Sequence, residues 1–384
     1  MTDLWQILAA RAVEIHDRDN LRRRVESGEK LRVKLGLDPT APDIHVGHLV
    51  VLDVLRAFQD AGHTAVLIVG DFTALIGDPS GRSETRPVLT REEVDANAKT
   101  YFDQAYRVLR PDLVEVHGNA EWLGAMSNAD VLRLMGRATL QQVLQREDFS
   151  KRMRDGLAIG AHELLYPFNQ AYDSVAIQAD VEIGGTDQLF NLLFGREIQR
   201  GYGQTPQDVA VFPLLPGTDG VQKMSKSLHN YIGIAEPPDE IYGKTMSLPD
   251  AMIEPYLQLV SGLDKDQIQQ ALELPPRDAK ASLARALVSR LHSAEAAGAA
   301  EEEFVRRFRH HQVPADMPEL TYPAPVNVVT VMIDAGWDRS ASSARRTILQ
   351  GGVKVDGDRV DGDVEVQDGQ VVSRGRRFAR VRVE

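Results

Sequence analysis

The chain has 384 residues, of which 43% are hydrophobic and 26% charged, a composition typical of an ordinary globular protein rather than a disordered one. At roughly 150 residues per domain, this length predicts two or three domains. The formal net charge of −12 argues against binding nucleic acid by bulk electrostatic attraction. The chain has no cysteine, which excludes disulfides, thiolate nucleophiles and cysteine zinc sites.

The hydrophobic stretches are short. The longest of them, such as residues 65–69, fall far below the ~20 residues that a bilayer-spanning helix needs. The N-terminal sequence has neither the basic start nor the continuous apolar core of a secretion signal. We therefore expect a cytoplasmic protein without a membrane segment.

The first part of the chain has a strand–helix–strand pattern. Alternating apolar residues predict a strand over 31–38, and apolar residues at helical spacing predict a helix over 45–61. The continuous apolar run 65–69 is typical of a buried parallel strand, so the three form a right-handed crossover unit. Further elements predicted before residue 220 are helices over 90–109, 128–147 and 187–200 and a strand over 209–212. An α/β domain is therefore predicted to end near residue 220.

The rest of the chain changes character twice. Residues 239–263 and 278–308 are rich in helix-forming residues without alternation, which predicts a helical region. A proline-rich linker then leads into residues 325–384, which have 10 Lys and Arg against 9 Asp and Glu. The acidic excess therefore lies in the preceding part of the chain, and the tail is locally basic.

Capping and turn signals predict a small α+β fold for this tail. Ser340 is a candidate helix N-cap, and Gly351 and Gly352 are candidates for the helix end. Residues 353–355 predict a short strand, and Asp356 with Gly357 predicts a hairpin turn. Such a unit would present basic side chains on one surface.

The first cluster that indicates chemistry is His45-Val46-Gly47-His48, at the predicted N-terminus of a helix. Free backbone N–H groups and the helix dipole make such a terminus suitable for phosphate. Gly47 would leave the backbone open to a ligand, and the two histidines would share one face. Two ordinary surface histidines, or a pair of metal ligands, would also fit this spacing.

The second cluster is Lys223-Met224-Ser225-Lys226-Ser227, after a Gly-rich turn at residues 217–220. Its two ammonium groups and its hydroxyls suit a polyphosphate whose charge increases in a transition state. A solvated basic loop is the alternative for this cluster taken alone.

Together, the two clusters resemble the HIGH and KMSKS signatures of the class I aminoacyl-tRNA synthetases. Further blocks are similar to those of bacterial tyrosyl-tRNA synthetases, and they lie at residues 36–41, 75–81, 166–173 and 184–188. The resemblance covers essentially the whole chain. Even the basic tail is similar to the ribosomal-protein-type RNA-binding domain of many bacterial members.

The resemblance implies an α/β fold with three domains. Residues 1–220 would form a Rossmann-like parallel-sheet catalytic domain with a helical dimer-interface insertion at about 120–160. Residues 221–322 would contain the KMSKS loop and an α-helical domain on the anticodon side. Residues 323–384 would form a small α+β RNA-binding domain.

The implied reaction is activation of L-tyrosine by ATP to tyrosyl-adenylate and pyrophosphate, and transfer of tyrosine to the 3′-terminal adenosine of tRNA(Tyr). Magnesium would accompany ATP, no protein-bound metal is expected, and the protein would be a homodimer. The catalytic residues implied by the resemblance are Thr40, His45, His48, Arg82, Arg86, Lys223, Lys226 and Ser227.

The resemblance also implies three sets of binding residues. Tyrosine would be bound by Lys34, Gly36, Asp78, Tyr166, Gln170, Asp173 and Gln188. ATP would be bound by Asp38, His45, Gly47, His48, Gly185, Asp187 and Lys226. The tRNA would be contacted by Arg345, Arg346 and Lys354.

Two positions depart from the family pattern. Lys34 stands where relatives often have a tyrosine that contacts the phenol of the substrate, and Leu189 stands where many have tryptophan. Because Lys34, Gly36 and Asp38 share a strand face, Lys34 is predicted to border the pocket. An ammonium group cannot reproduce the contact of a phenol.

Two other classes of function are compatible with parts of the sequence. One is an RNA-binding or regulatory protein that keeps the synthetase scaffold without aminoacylation. The other is a metallohydrolase that uses His45 and His48. Pyrophosphate exchange into ATP would separate the first from a synthetase, and stoichiometric zinc would reveal the second.

Overall fold

The structure is a computed structural model, and it describes residues 4–39, 43–78, 90–309, 317–375 and 377–384. The chain divides into two compact units, Met1–Ala297 and Gly298–Glu384. The predicted helical region after residue 237 lies largely in the first of these units. The division into three domains stays a prediction.

The first unit contains a six-stranded sheet. Its strands are β1 (Glu14–His16), β2 (Arg32–Leu37), β3 (Thr64–Val69), β4 (Val114–Gly118), β5 (Val181–Gly185) and β6 (Asp208–Phe212). They lie in the order β1-β6-β5-β2-β3-β4, and every pair is parallel except the antiparallel edge pair β1 and β6. The predicted parallel-sheet α/β fold is confirmed.

The helices that begin in the first unit are numbered in chain order. They are α1 (Leu4–Arg11), α2 (Arg18–Glu26), α3 (Leu49–Asp60), α4 (Arg91–Ala105), α5 (Ala120–Leu123), α6 (Asn128–Met135), α7 (Leu140–Val143), α8 (Glu147–Arg154), α9 (Tyr166–Ala176), α10 (Leu189–Gly201), α11 (Pro238–Met246), α12 (Ile253–Val260), α13 (Lys265–Leu272), α14 (Pro276–Leu291) and α15 (Ala294–Arg309). Each helix of the described residues is too short or too polar to span a bilayer.

The periodicity of the segment 128–147 predicted one helix, but the structure divides this segment into separate helices. Helix α6 ends before Gly136, and α7 begins anew with its own cap. Ser127 Oγ accepts a hydrogen bond from the backbone N–H of Asp130, and Thr139 Oγ1 accepts one from that of Gln142. Two N-caps within 12 residues start two separate helices, because each one satisfies free N–H groups at a new helix start.

The sheet has its switch point between β2 and β5. From β2 the chain proceeds through β3 and β4 to one side, and β5 and β6 then extend the sheet on the other side. The helical connections diverge at such a point, so a crevice opens beyond the carboxyl ends of the two central strands. The fold therefore predicts a ligand site beyond Leu37 and Gly185.

The hydrophobic core holds this crevice rigidly. Residues 65–69 of β3 are all buried, and α3 buries an apolar face against the sheet. On the other side α9 packs on α10, with Phe168 and Phe194 edge to face at a centroid distance of 5.0 Å. Each such buried apolar side chain contributes about 1.5–3 kcal/mol to stability.

The second unit is a small α+β fold. Its elements are β7 (Glu319–Tyr322), β8 (Val326–Asn327), α16 (Val328–Asp334), α17 (Ala341–Leu349), β9 (Val353–Val355), β10 (Asp358–Arg359), β11 (Glu365–Val366), β12 (Val371–Arg374) and β13 (Arg377–Val383). Five strands form a sheet in the order β10-β9-β12-β13-β7, and β11 pairs with β8.

The local predictions for this unit are confirmed. Ser340 Oγ accepts a hydrogen bond from the N–H of Ser343 and so caps α17. Gly351 follows the helix with a φ of +69°. Asp356 and Gly357, at φ values of +50° and +91°, form the turn between β9 and β10.

Candidate active site

A cavity of about 270 Å³ opens at the carboxyl ends of β2 and β5, where the sheet topology predicts a ligand site. Thirteen of the residues predicted from the sequence line it together, although they come from six separate stretches of the chain. They are Gly36, Asp38, His45, Gly47, His48, Asp78, Tyr166, Gln170, Asp173, Gly185, Asp187, Gln188 and Lys223.

The other predicted residues fall into three groups. Lys34 and Lys226 do not line the cavity but lie close to residues that do. Thr40, Arg82, Arg86 and the side chain of Ser227 lie outside the described residues. Arg345, Arg346 and Lys354 are exposed on the second unit. The structure thus brings together most of the predicted tyrosine and ATP residues.

The two histidines flank a single turn at the N-terminal end of α3. Their ring centroids are 3.9 Å apart, and the backbone N–H of His45 donates to Nδ1 of His48 at 3.2 Å. His48 Nδ1 also lies 3.3 Å from His45 O, so the tautomer of the neutral ring decides whether Nδ1 accepts from the N–H or donates to the carbonyl. Burial lowers the pKa of His48 to about 4 and that of His45 well below its usual value, and the nearby Lys226 adds to both effects. At neutral pH both side chains are therefore uncharged hydrogen-bond donors.

The two lysines of the KMSKS cluster are paired differently. Lys223 Nζ lies 2.9 Å from Asp187 Oδ2 in a salt bridge. Lys226 Nζ is buried, has no hydrogen-bond partner among the described residues, and lies 5.9 Å from the ring centroid of Tyr101. Burial lowers its pKa to about 8. A buried ammonium group without a hydrogen-bond partner is strongly stabilised when an anion binds next to it.

At the other end of the cavity Asp173 is held by two donors. Trp122 Nε1–H donates to Oδ1 at 2.8 Å, and Asn119 Nδ2 donates to Oδ2 at 3.2 Å. Asp173 is only 3% exposed, and burial raises its pKa to about 7 even though the Lys34 charge and both donors favour its ionised form. It is thus a buried, preformed acceptor in the lining of the cavity.

A second carboxylate belongs to a hydrogen-bonded chain. Gln188 Nε2 donates to Asp78 Oδ2, and Asn191 Nδ2 donates to Gln188 Oε1, both at 2.9 Å. Arg146 Nη1 in turn donates to Asn191 Oδ1 at 2.9 Å, and Arg146 lies 3.7 Å from Asp78. The chain fixes the amide of Gln188 and places a buried guanidinium behind Asp78.

A third carboxylate, that of Asp38, joins three elements. Tyr166 Oη donates to Oδ2 and Thr73 Oγ1 donates to Oδ1, both at 2.8 Å. Burial, together with the charge of Asp38, raises the pKa of Tyr166 well above 10, so Tyr166 stays a neutral donor. Residue 70 must be glycine here, because a Cβ would overlap Asp38 Oδ1 and Thr73 Oγ1.

The comparisons with known proteins agree with this site. A family model described as "tRNA synthetases class I (W and Y)" matches residues 26–309. The tyrosine–tRNA ligase of Moorella thermoacetica is 53% identical over 372 residues, which cover 94% of this chain and 90% of that protein. The chain belongs to the tyrosyl-tRNA synthetase family. The tyrosine–tRNA ligase of Thermotoga maritima is also similar, at 48% identity over 98% of this chain and 96% of its own length.

A structural comparison establishes the same fold for this tyrosyl-tRNA synthetase family member. A crystal structure of a C-terminally truncated mitochondrial tyrosyl-tRNA synthetase from Aspergillus nidulans matches with a TM-score of 0.69 at 23% identity. The match covers 80% of this chain and 95% of that one.

Lys34, which departs from the family pattern, does not border the cavity as predicted. Its side chain is fully buried beneath α9, and Nζ contacts Gln170 O, Ser174 Oγ and Glu182 Oε1, each at 2.9 Å. Lys34 does lie on the strand face that it shares with Gly36 and Asp38, and at residue 34 this face is directed toward α9. That helix covers the face at residue 34, and of the three residues on this face only Gly36 and Asp38 line the cavity.

Sequence reasoning missed three residues that hold the site: Asn119, Trp122 and Arg146. Asn119 and Trp122 follow β4 at the carboxyl edge of the sheet, and this position could have identified them as candidates. Arg146 has no such signal, because it lies between two short helices far from the sheet motifs in sequence.

Family membership supports the synthetase interpretation rather than a scaffold without activity or a metallohydrolase. Within the described ranges, His45 and His48 are not part of a group of three or more side chains that could hold a metal ion. The two rings face one another and the lysines of the second cluster.

Proposed function

We propose that the protein is a tyrosine–tRNA ligase. It would activate L-tyrosine with ATP to tyrosyl-adenylate and pyrophosphate, and then transfer tyrosine to the 3′-terminal adenosine of tRNA(Tyr). The observation that carries the proposal is a cavity with a buried, doubly hydrogen-bonded carboxylate at one end and His45 at the other, with the buried Lys226 ammonium group near it. Among the described residues, His45 Nδ1 and Lys226 Nζ have no hydrogen-bond partner. A phenol fits the first end and a polyphosphate the second.

The tyrosine end supplies an acceptor for each donor of the amino acid. Asp173 would accept the phenol O–H, because it is a buried carboxylate of the lining that is already oriented by two donors, whereas the buried Glu182 is paired with Lys34. The α-ammonium group would lie between Asp78, Gln170 and Tyr166, all of which line the cavity. Gln170 Oε1 is buried without a partner among the described residues, and an ammonium donor would satisfy it. Phenylalanine would leave Asp173 without its donor, which is costly in a buried site.

The adenylation step is a displacement at phosphorus. A carboxylate oxygen of tyrosine would attack the α-phosphorus of ATP and form a new P–O bond. The bond to the bridging oxygen would break, and pyrophosphate would leave with that electron pair. Magnesium would enter with ATP as part of the substrate. No protein nucleophile is needed, so catalysis rests on positioning and electrostatic stabilisation.

The nucleotide end would provide that stabilisation. Neutral His45 and His48 would donate hydrogen bonds, and Lys226 would pair with the growing negative charge of the phosphates. Lys223 would add a second cation, and Asp187 and Gly185 would face the nucleoside. The roles of Thr40, Arg82, Arg86 and Ser227 in this step remain predictions from the family resemblance.

In the second step, a ribose hydroxyl of the terminal adenosine would attack the carbonyl carbon of the adenylate, and AMP would leave. Arg345 and Arg346 on α17 and Lys354 on β9 are exposed and would contact the tRNA. Replacing both arginines with alanine should weaken tRNA charging about 10-fold or more and leave tyrosine-dependent pyrophosphate exchange unchanged. Equal losses in both reactions would contradict the assignment.

The protein would work in the cytoplasm as a homodimer. Large apolar side chains are exposed on α6 and α7, where Leu132 is 70% and Leu140 is 55% exposed. Large exposed apolar groups on two consecutive helices are typical of an interaction surface. Sedimentation of the wild-type protein should therefore give the mass of two chains, and Leu132→Asp with Leu140→Asp should give that of one.

The test of the proposed activity is exchange of labelled pyrophosphate into ATP with each amino acid in turn. Tyrosine should support exchange, and phenylalanine should support far less. Exchange with another amino acid and none with tyrosine would contradict the substrate. Absence of exchange with every amino acid, with and without tRNA, would contradict the reaction.

A further inference from the structure

The buried lysine beneath the cavity has a more specific task than filling space. We infer that Lys34, as the ion-pair partner of Glu182, is a positioning residue for tyrosine: it fastens α9 to the sheet and keeps a positive charge behind Asp173. The inference rests on the proposed function and deepens it, because it concerns how the phenol acceptor is kept in place and ionised. Relatives often have a tyrosine at this position that contacts the phenol directly. Lys34 instead supports recognition of the phenol indirectly, through Asp173.

The contacts of the Lys34 ammonium group hold it in one position. Its ammonium group donates to Gln170 O and Ser174 Oγ and pairs with Glu182 Oε1, which uses all three of its donors. Ser174 Oγ donates onward to Glu182 Oε2 at 3.2 Å, and Gln207 Nε2 also donates to that oxygen. Lys34 is 0% exposed and Glu182 is 1% exposed. The pair is therefore enclosed and fully hydrogen-bonded.

The contacts of this network fall on the helix that carries the tyrosine-binding residues. Gln170 and Ser174 belong to α9, and Asp173 lies between them. Lys34 belongs to β2 and Glu182 to β5, the two strands at the switch point of the sheet. The network therefore fixes α9 against the floor of the cavity and, with it, the position of the Asp173 carboxylate.

The same pair also acts on Asp173 through charge. The Lys34 cation favours the ionised carboxylate, and the Glu182 anion opposes it, which the pKa of Asp173 reflects in both directions. The donors Trp122 and Asn119 act in the same sense as Lys34. The remaining titratable residues that line the cavity are Asp38, His45, His48, Asp78, Tyr166, Asp187 and Lys223. Since Lys34 and Glu182 have opposite effects, removing one or the other should shift the ionisation of Asp173 in opposite directions.

The test compares Lys34→Met, Glu182→Gln and the double variant with the wild-type enzyme. Pyrophosphate exchange would give kcat/KM for tyrosine and for phenylalanine over about two pH units on either side of neutrality, and kcat/KM reports groups of the free enzyme. The ratio of the two values cancels effects of His45, His48 and Lys226, which both substrates share. Lys30→Met, at an exposed position, is the matched control.

We expect the wild-type ratio to fall as the pH drops through about 7, because Asp173 then becomes protonated. Lys34→Met should move this midpoint up by about one pH unit, and Glu182→Gln should move it down by about one. At neutral pH the ratio for Lys34→Met should be several-fold to about 10-fold lower. The double variant should return close to the wild-type midpoint, and Lys30→Met should not differ from wild type.

Two results would overturn the inference. One is a uniform loss of activity in Lys34→Met and Glu182→Gln with the pH profile of the ratio unchanged, which indicates packing alone. The other is a shift of both single variants in the same direction. If Lys34→Met does not fold, Glu182→Gln decides the matter alone, because it keeps the lysine and a side chain of the same shape. A wild-type enzyme without tyrosine-dependent exchange would instead contradict the proposed function.

Discussion

The two ends of the active-site cavity differ in how far their polar groups are already paired. At the tyrosine end, Asp173 accepts two hydrogen bonds and Lys34 makes three polar contacts without any ligand. At the nucleotide end, His45 Nδ1 and Lys226 Nζ are buried without a hydrogen-bond partner among the described residues.

This difference matches two kinds of recognition. A hydrogen-bonded network is rigid, and it selects a ligand by leaving defined acceptors for the donors of that ligand, here the carboxylate of Asp173 and Oε1 of Gln170. Buried donors without partners are costly until an anion arrives, so they favour the state in which charge on the phosphates is greatest. We therefore propose that the tyrosine end provides specificity and that the nucleotide end stabilises the transition state.

The largest effect is expected from Asp173→Asn, which removes the charged acceptor at the tyrosine end. We expect kcat/KM for tyrosine to fall about 100-fold or more, since a buried hydrogen bond to a charged group is lost and its donors stay behind. Exchange assays with tyrosine and phenylalanine would measure it. Asp112→Asn, at an exposed position, should have no effect. A loss that is equal for both amino acids would show that Asp173 does not read the phenol.

Lys226→Gln tests the nucleotide end. Removing a cation that stabilises developing phosphate charge should lower kcat for exchange about 100-fold and leave the KM for tyrosine unchanged. Lys265→Gln is the control at an exposed position. A raised KM for tyrosine with unchanged kcat would reverse the assignment of the two ends.

The pH dependence of the wild-type enzyme tests the same lysine. Its pKa is lowered to about 8 by burial, so the free enzyme loses this charge as the pH rises through that value. We expect kcat/KM for ATP to decline above a pH of about 8. In Lys226→Arg the decline should disappear, because a guanidinium stays charged. A decline that persists in this variant would assign the titration to another group.

Gly70→Ala tests the role of Asp38, whose carboxylate joins three elements of the cavity lining. The new methyl group would displace the carboxylate from Thr73 and Tyr166, so we expect kcat/KM for tyrosine to fall about 10-fold through loss of about one hydrogen bond. The control is Gly243→Ala on α11, where a Cβ would meet no atom within 4 Å. An unchanged kcat/KM for tyrosine in Gly70→Ala would show that the Asp38 carboxylate does not position the residues of the cavity lining around it.

The smallest effect is expected from Gln170→Leu. Gln170 Oε1 is the one buried acceptor of the tyrosine-end residues described above that lacks a partner within the described structure, and an α-ammonium group would satisfy it. The KM for tyrosine should rise roughly 5-fold, the size of one net hydrogen bond. Gln269→Leu, at an exposed position, should have the wild-type KM for tyrosine in the same pyrophosphate exchange assay.

The parts of the fold with a regular apolar period could be predicted from the sequence. Alternation over 31–38 and the apolar run 65–69 correspond to β2 and β3, and the two signature clusters fall at the switch point of the sheet. Periodicity failed over 128–147, because the caps at Ser127 and Thr139 outweigh a continuous apolar stripe.

The environment of Lys34 could not be predicted in the same way. Its partner Ser174 is 140 residues away along the chain, and no spacing rule relates the two. The same holds for Arg146, whose contact Asn191 lies 45 residues away. Local pattern shows which residue types are available for a site, whereas long-range packing decides which of them meet and whether a charge faces the ligand or lies behind it.

The ion pair of Lys34 and Glu182 has a further consequence for how the sheet assembles. The two residues are direct partners across the parallel ladder of β2 and β5, which has only one other registered pair, Val33 with Val181. A slip of one residue would place each buried charge opposite an apolar neighbour, and an unpaired buried charge costs about 3–5 kcal/mol. The short central ladder therefore has a single favourable alignment, and the two halves of the sheet are joined in the register that places the ends of both strands at one crevice.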